Sequence, residues 1–387
     1  MVAACPLPAE RGTPSRILRM SEALSDMGHQ VHIVTYHLGT PIGSNGVAIH
    51  RIPNIPTYTR FSPGPTYQKV LVVDPILCAN LVRIVHRHQI DLIHAHHFEG
   101  ALVAFGARLA TGRKVIYDAH TTLEGELHHY PTRVPGAAAR LLDRVVPRWS
   151  DHVIAVSDDI GKFVQERGVR PQDITVIPTG VNMEDFDQSD SAEVRGRIGA
   201  GDAPLIVYTG GLAAFQGVSY LLAAMKHIAA AEPRARLLIV SADTDIAHLR
   251  QEAEALGILD RIIFMTDVPF AKVPPLLACA DVAVIPRVGC PGTPQKLGNY
   301  MAAARAIVSF EGAAKLIKDR TTGLTVPDGD IAAFAAATLK VLGDRPLAER
   351  LGAAAREEIA REYSWPPLAR QVDAVYRRIA SGDGSET

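Results

Sequence analysis

A chain of 387 residues, 47% hydrophobic and 21% charged, buries a substantial core and exceeds one ordinary domain, so two domains are expected. A formal charge of −1 excludes a field that would gather nucleic acid or an anionic membrane, and the four scattered cysteines (Cys5, Cys78, Cys279, Cys290) exclude a disulfide scaffold or a thiolate metal site. The N-terminus reaches charge and Pro/Gly before any signal-like apolar run, and no stretch approaches the roughly 18 apolar residues of a membrane span, so a cytoplasmic protein is expected.

Short apolar runs alternate with amphipathic helical stretches, the pattern of βαβ units and a parallel sheet. Val2–Cys5 reads as the first strand, and a Gly/Pro-rich loop follows it. Ile17, Leu18, Ala23, Leu24 and Met27 then recur at helical spacing until Gly28. Further strands are read at Val31–Thr35, Ala48–Arg51, Asp91–His94, Lys114–Asp118, Val153–Val156 and Thr175–Ile177. The segment Val70–Val82, the most apolar in the chain, reads as a buried helix. The polar stretch after Gly180 suits a linker. A second series follows, with strands at Leu205–Tyr208, Arg236–Val240, Ile262–Met265, Val282–Ile285 and Ala306–Ser309, and a helix at Gly217–Ala230. Two doubly wound sheets place ligands at the carboxyl ends of their strands, so a cleft between the two domains is the expected active site.

The first βα loop, Arg11-Gly12-Thr13-Pro14-Ser15-Arg16, joins a glycine that permits close backbone approach to a capping threonine and a proline at the first helical position. Free amides there suit a phosphate, with Arg16 adding charge one turn inside. A well-capped helix after a tight turn fits the same residues. The second half opens alike, with Tyr208-Thr209-Gly210-Gly211-Leu212 after its first strand and Phe215-Gln216-Gly217 before its helix. Of the 15 histidines, 13 precede residue 155. His94 and His96 share one face of an extended strand, yet no third ligand follows at metal spacing, so no metal site is read there. Glu99, Glu124 and Glu126 lie near presumed strand ends and suit acceptor hydroxyls or simple surface positions. The Pro-rich stretch Ile52–Tyr67 is long enough to shape acceptor choice. Arg140, Arg144 and Arg148, among Leu141, Leu142, Val145 and Val146, fit an ordinary amphipathic helix or a peripheral contact with anionic lipid.

The stretches SDHVIAVSDDI, ITVIPTGVN, VYTGGLAAFQGVSYLLAAM, PGTPQKLGNYMAAARAIVSF, TTGLTVPDGD and EYSWPPL, in that order, resemble the retaining glycosyltransferases of family four. The resemblance implies a GT-B fold, α/β with two Rossmann-like domains. The first, 1–183, would bind the acceptor, a glycan, a lipid or a small molecule. The second, 184–363, would bind a UDP- or GDP-linked sugar, and a final helix within 364–387 would cross back. It implies hexose transfer with retained anomeric configuration, front-face attack assisted by the leaving phosphate, and no obligatory metal or other cofactor.

By the same resemblance His120 lies near the transferred sugar and Lys296 faces the donor phosphates, where a leaving diphosphate develops charge. Gly12, Thr13, Arg16, Gly210, Gly211, Gln216, Arg287 and Thr293 would complete the donor site. Many members carry two glutamates with seven residues between them. Here those positions are Pro291 and Asn299, and Asn299 retains the capacity to bind ribose hydroxyls. Many also place an arginine and a lysine where this chain has Gly211 and Gln216. The TP-x-K helix start and the Gln-Gly loop resemble a variant subgroup. The departures keep two alternatives open, a sugar-nucleotide-binding pseudoenzyme and a nucleotide-sugar epimerase on the same fold.

Overall fold

The computed structural model describes residues 1–7, 12–39, 46–59, 66–126, 136–187, 191–289 and 294–381. Arg11, part of the Ile52–Tyr67 stretch, His128, His129, Cys290, Pro291 and Thr293 lie outside the described residues, as does the side chain of Glu126. The chain divides into two compact units, Met1–Gly180 with Trp365–Thr387, and Val181–Ser364.

The first unit is built on a parallel sheet of seven described strands: β1 (Val2–Ala3), β2 (His32–Thr35), β3 (Ala48–Arg51), β4 (Leu92–His96), β5 (Lys114–Ala119), β6 (His152–Ala155) and β7 (Ile174–Val176). Their order in the sheet is β3-β2-β1-β4-β5-β6-β7. The second unit holds β8 (Leu205–Thr209), β9 (Arg236–Val240), β10 (Ile262–Met265), β11 (Val282–Ile285), β12 (Ala306–Phe310) and β13 (Leu324–Val326), ordered β10-β9-β8-β11-β12-β13. Both sheets are doubly wound, and the order reverses between β1 and β4 and between β8 and β11. Crevices for ligands form beyond the strand ends at such points.

The central strands are almost wholly apolar because both faces are covered: every residue of β8, β11 and β12 is buried. Helix Val218–Ala231 lays Val218, Leu221, Leu222, Met225 and Ile228 on one face of the second sheet, and Leu297, Tyr300 and Met301 cover the other. In the first unit, Gly12–Asp26 and Trp365–Ser381 together cover one face with Ile17, Met20, Leu24, Trp365, Leu368 and Val372. The last helix is also tied by polar contacts, with Tyr376 Oη 2.6 Å from His94 Nδ1 and Asp373 Oδ1 2.9 Å from His29 Nε2.

The structure departs from the sequence reading at three places. Val70, Leu71 and Val72 are 52%, 70% and 42% exposed, so the apolar segment is not a buried helix. A π-turn over Lys69–Val73 rotates these side chains outward while Lys69 turns in to Glu99, and the buried helix face begins at Val73. The stretch read as a linker carries a 3₁₀ turn at Met183–Phe186 and a helix at Ser191–Arg197, whose Phe186 and Val194 enter the second unit's core. Strand β13 went unread because only three residues separate Gly323 from Pro327. Among the described residues, no helix is long and apolar enough to cross a membrane.

Trp365 is 7% exposed at the point where the chain rejoins the first unit. Trp365→Ala should lower stability by about 3–5 kcal/mol, read as a lower urea midpoint with the dependence on urea unchanged. A loss under about 1 kcal/mol would show that the last helix does not need this anchor.

Candidate active site

In the first unit, polar side chains gather at the C-terminal ends of β4 and β5. Parallel pairing sets His96 opposite Asp118, and His120 follows one residue beyond β5. Asp118 is fully buried. Arg16 meets it with two charge-assisted bonds, Nε to Oδ2 at 3.0 Å and Nη2 to Oδ1 at 3.2 Å. The same guanidinium donates to the carbonyls of Ile177 and Pro178 at 3.0 and 2.7 Å. Three imidazole nitrogens surround the carboxylate: His96 Nδ1 at 3.2 Å, His120 Nε2 at 3.5 Å and His94 Nε2 at 3.6 Å.

Burial alone would raise the Asp118 pKa, yet Arg16 and His120 hold it well below the usual carboxylate range. Burial lowers the pKa of His94, His96 and His120 despite the adjacent carboxylate, keeping the imidazoles neutral near pH 7. His120 Nδ1 lies 3.1 Å from Thr13 Oγ1, which joins the strand end to the start of helix Gly12–Asp26. Thr13 and His120, singled out separately in sequence, are therefore one contact. Arg16 is corrected from a donor-facing cation to an internal one, 1% exposed with its charge committed to Asp118.

Asp118, on the neighbouring strand, brings a carboxylate oxygen within 4.8 Å of ring nitrogens of His94 and His96, a neighbour that spacing along one strand did not show. Arg16 already occupies both its oxygens. Glu99 is 9% exposed and paired with Lys69 at 2.6 Å, so it is not a surface carboxylate. Glu124 stands half-buried between Arg140 and Arg167, at 3.4 and 3.8 Å.

In the second unit the site forms beyond β8 and β11. Gly210 has φ +129°, which strains any side chain, and a Cβ there would stand 2.7 Å from Lys296 Nζ, so a substitution would also displace that ammonium. Gly217 has φ +77°, and its Cβ would meet the Pro286 carbonyl oxygen at 2.0 Å. That close approach brings the start of helix Val218–Ala231 against the end of β11. Lys296, in the first turn of helix Gln295–Ala302, donates to Tyr208 Oη at 2.9 Å and Gln216 Oε1 at 3.0 Å. Its ammonium lies 4.2 Å from the Tyr208 ring centroid. Tyr208 Oη in turn donates to the Gly211 carbonyl at 2.6 Å, and Asp243 Oδ2 accepts from the Leu212 amide at 2.7 Å.

Gly210, Gly211, Gln216 and Lys296 are thus brought together, and Asn299, half-buried, lies one turn further along the Lys296 helix. Arg287 stands over the Phe215 ring at 4.9 Å, with Nε donating to the Gly289 carbonyl at 3.2 Å. Sequence reasoning missed Tyr208, Asp243 and Asp118. An aromatic hydroxyl beside the last residue of a strand and an acid two residues before His120 were the available signals. A cavity of about 610 Å³ at the opposite ends of β5 and β6 is a different place, and its lining Lys114, Arg170 and Arg378 are held by the Ile379 carbonyl, Asp173 and His152.

Residues 11–185 match the description Glycosyltransferase Family 4, and residues 203–344 match Glycosyl transferases group 1. The chain belongs to the family-four glycosyltransferases. The phosphatidyl-myo-inositol mannosyltransferase of Mycolicibacterium smegmatis is 26% identical over 388 residues, covering 96% of this chain and 91% of that protein. The D-inositol 3-phosphate glycosyltransferase of Geodermatophilus obscurus is 26% identical, covering 84% and 78%. Among solved structures, Anabaena HepE in complex with UDP-glucose superposes with a TM-score of 0.72 at 18% identity, covering 97% and 98%. Sucrose-phosphate synthase of Thermosynechococcus elongatus does so at 0.74 and 20%, covering 96% and 94%. The fold is GT-B.

Asp118→Asn, which leaves Arg16 buried without its counter-charge, should cost about 3–5 kcal/mol. The depressed histidines set the acid limb. In the unfolded chain they bind protons near pH 6.5, whereas in the fold they resist, with His152 lowered to about 4 by burial and Arg378. Their contribution is therefore complete above about pH 6.5 and lost as pH falls below it, that of His152 by about pH 4. The Asp118 contribution persists until pH falls below 3.8. Urea-melt stability should decline by about 1.4 kcal/mol per pH unit for each extra proton the unfolded chain takes up. A flat profile between pH 7 and 5 would contradict neutral, buried imidazoles.

Proposed function

We propose that the chain is a retaining hexosyltransferase that moves a sugar from a UDP- or GDP-linked donor to an acceptor hydroxyl in glycan or glycolipid synthesis. The observation that carries this reading is the second-unit constellation: an ammonium, Lys296, held by Tyr208 and Gln216 directly above Gly210 at a switch-point strand end. The leaving nucleotide diphosphate gains charge as the glycosidic bond breaks, and a fixed ammonium beside it lowers that barrier without reorganising. The amides at the loop after β8 and at the start of helix Gln295–Ala302 add donors to the phosphates. Asn299 takes the ribose hydroxyls, and Arg287 flanks the same strand end.

In the first unit, neutral His120, steadied by Thr13 and Asp118, offers a hydrogen bond to the sugar rather than a charge. The acceptor proton passes to the departing phosphate on the face from which it leaves, so no protein base is assigned. No obligatory metal takes part. The UDP-glucose held by Anabaena HepE makes a uridine donor the first to try.

Lys296→Ala should lower kcat about 10²–10³-fold. Transfer from a panel of nucleotide sugars to mixed glycan and lipid acceptors, with nucleotide release as the readout, checks it. Unchanged turnover would remove Lys296 from the mechanism. Binding of nucleotide sugar without turnover in the parent chain would favour a binding protein, consistent with Gly211 and Gln216 standing where many members carry arginine and lysine. Product formed from donor alone would favour an epimerase. Proton NMR of the product should show the donor's anomeric configuration, and the opposite anomer would exclude retention.

A further inference from the structure

Three histidines converge at the other end of the first sheet, away from the strand ends described above. His32 opens β2, His50 lies in β3 at the sheet edge, and His88 caps the C-terminal end of helix Asp74–Arg87. They come from three separate elements, and one ring nitrogen of each lies within 4.8 Å of the other two. His32 Nδ1 and His50 Nε2 are 2.9 Å apart, with their rings stacked at 5.1 Å and 8°. The His88 ring packs 4.4 Å from that of His32 and 5.3 Å from that of His50. His32 and His50 are half-buried and His88 is exposed, so the group is held by the fold on one side and open to solvent on the other.

We propose that His32, His50 and His88 form a binding site for a divalent transition ion of the zinc class, which clamps the β2–β3 edge to the end of helix Asp74–Arg87. An all-imidazole set suits Zn²⁺, Ni²⁺, Cu²⁺ and Co²⁺ and disfavours Mg²⁺ and Ca²⁺, which take oxygen. Three protein nitrogens leave the fourth tetrahedral position to water, reached from the His88 side. Metal–nitrogen bonds of about 2.0–2.1 Å set neighbouring ligand nitrogens about 3.3 Å apart in a tetrahedral site. The ion therefore replaces the His32–His50 hydrogen bond by separating those nitrogens a few tenths of an ångström. Met1, whose amino group donates to the His32 carbonyl at 2.6 Å, fixes the backbone of that ligand. The benefit falls on β3, an edge strand whose outer side has no strand partner among the described residues. None of the three residues belongs to the transfer site, so glycosyl transfer should not require the ion.

The untagged full chain, stripped with chelator and dialysed against micromolar ZnCl₂, should retain one Zn²⁺ per chain and melt at a higher temperature than the stripped chain. His88→Ala should weaken Zn²⁺ at least about tenfold, the loss that even an outer-shell partner of a ligand can cost. It should also abolish the thermal shift while leaving the melting of the stripped chain unchanged, because His88 is exposed. His50→Asn should do the same to the ion. Absence of stoichiometric Zn²⁺ in the parent chain would overturn the proposal. So would Zn²⁺ that survives His88→Ala but disappears in His94→Asn, which would locate it at the buried His94–His96–Asp118 group.

Discussion

The buried pair of Arg16 and Asp118 is the interaction on which the first unit's chemistry rests. It joins three pieces of chain far apart in sequence: the opening helix, the end of β5 and the carbonyls that follow β7. Removing two charges from water is costly, and the pair is tolerable only because the guanidinium meets both oxygens and satisfies two further carbonyls. That completeness makes the strand end rigid. It also fixes the charge state of the surrounding histidines, because Asp118 already has its counter-ion and burial then keeps the imidazoles neutral. His120 consequently works as a hydrogen-bonding group in a charge-balanced setting.

The second unit repeats the topology with different electrostatics. At the equivalent switch point its cation, Lys296, meets the oxygens of Tyr208 and Gln216 and the face of an aromatic ring, where Arg16 meets a buried carboxylate. One sheet order thus supports two kinds of strand end, one with its cation neutralised by a buried carboxylate and one with its cation among neutral oxygens. The distinction lies in side chains at loop positions, as expected when function is grafted on a fold rather than specified by it.

Much of this was legible in the sequence. The runs at Arg236–Val240, Ile262–Met265 and Val282–Ile285 are largely apolar, and the strands occupy those residues, as one does the more polar Ala48–Arg51. Val70–Val82 was misread because composition does not report which way a helix faces, and the π-turn at Lys69–Val73 buries Lys69 and Val73 while leaving Val70, Leu71 and Val72 exposed. At the candidate site, Lys296, Gly210 and His120 carried motif signals, whereas the fate of Arg16 did not. An arginine one turn inside a helix faces a ligand or the sheet according to whether a carboxylate waits there, and Asp118 is 102 residues away. Spacing within one strand likewise did not show Asp118 beside His94 and His96. Parallel pairing brings it there from the next strand.

On the proposed function, the neutral residues at 211 and 216 fit a site whose single cation is Lys296. Gln216 is the acceptor that holds Lys296, at 3.0 Å, and Gly210 leaves open the space in which that ammonium sits. A lysine at position 216 would bring a second ammonium to about 4 Å from the first. At an effective dielectric of about 20, the repulsion would be about 4 kcal/mol before any phosphate arrived. An arginine at 211 would crowd the same loop, where Tyr208 and Asp243 already bind the backbone. One ammonium supported by neutral oxygens and flanked by helix-start amides is therefore a self-consistent set. On the proposed function, Gly211 and Gln216 leave the charge that meets the diphosphate concentrated on a single positioned group, Lys296.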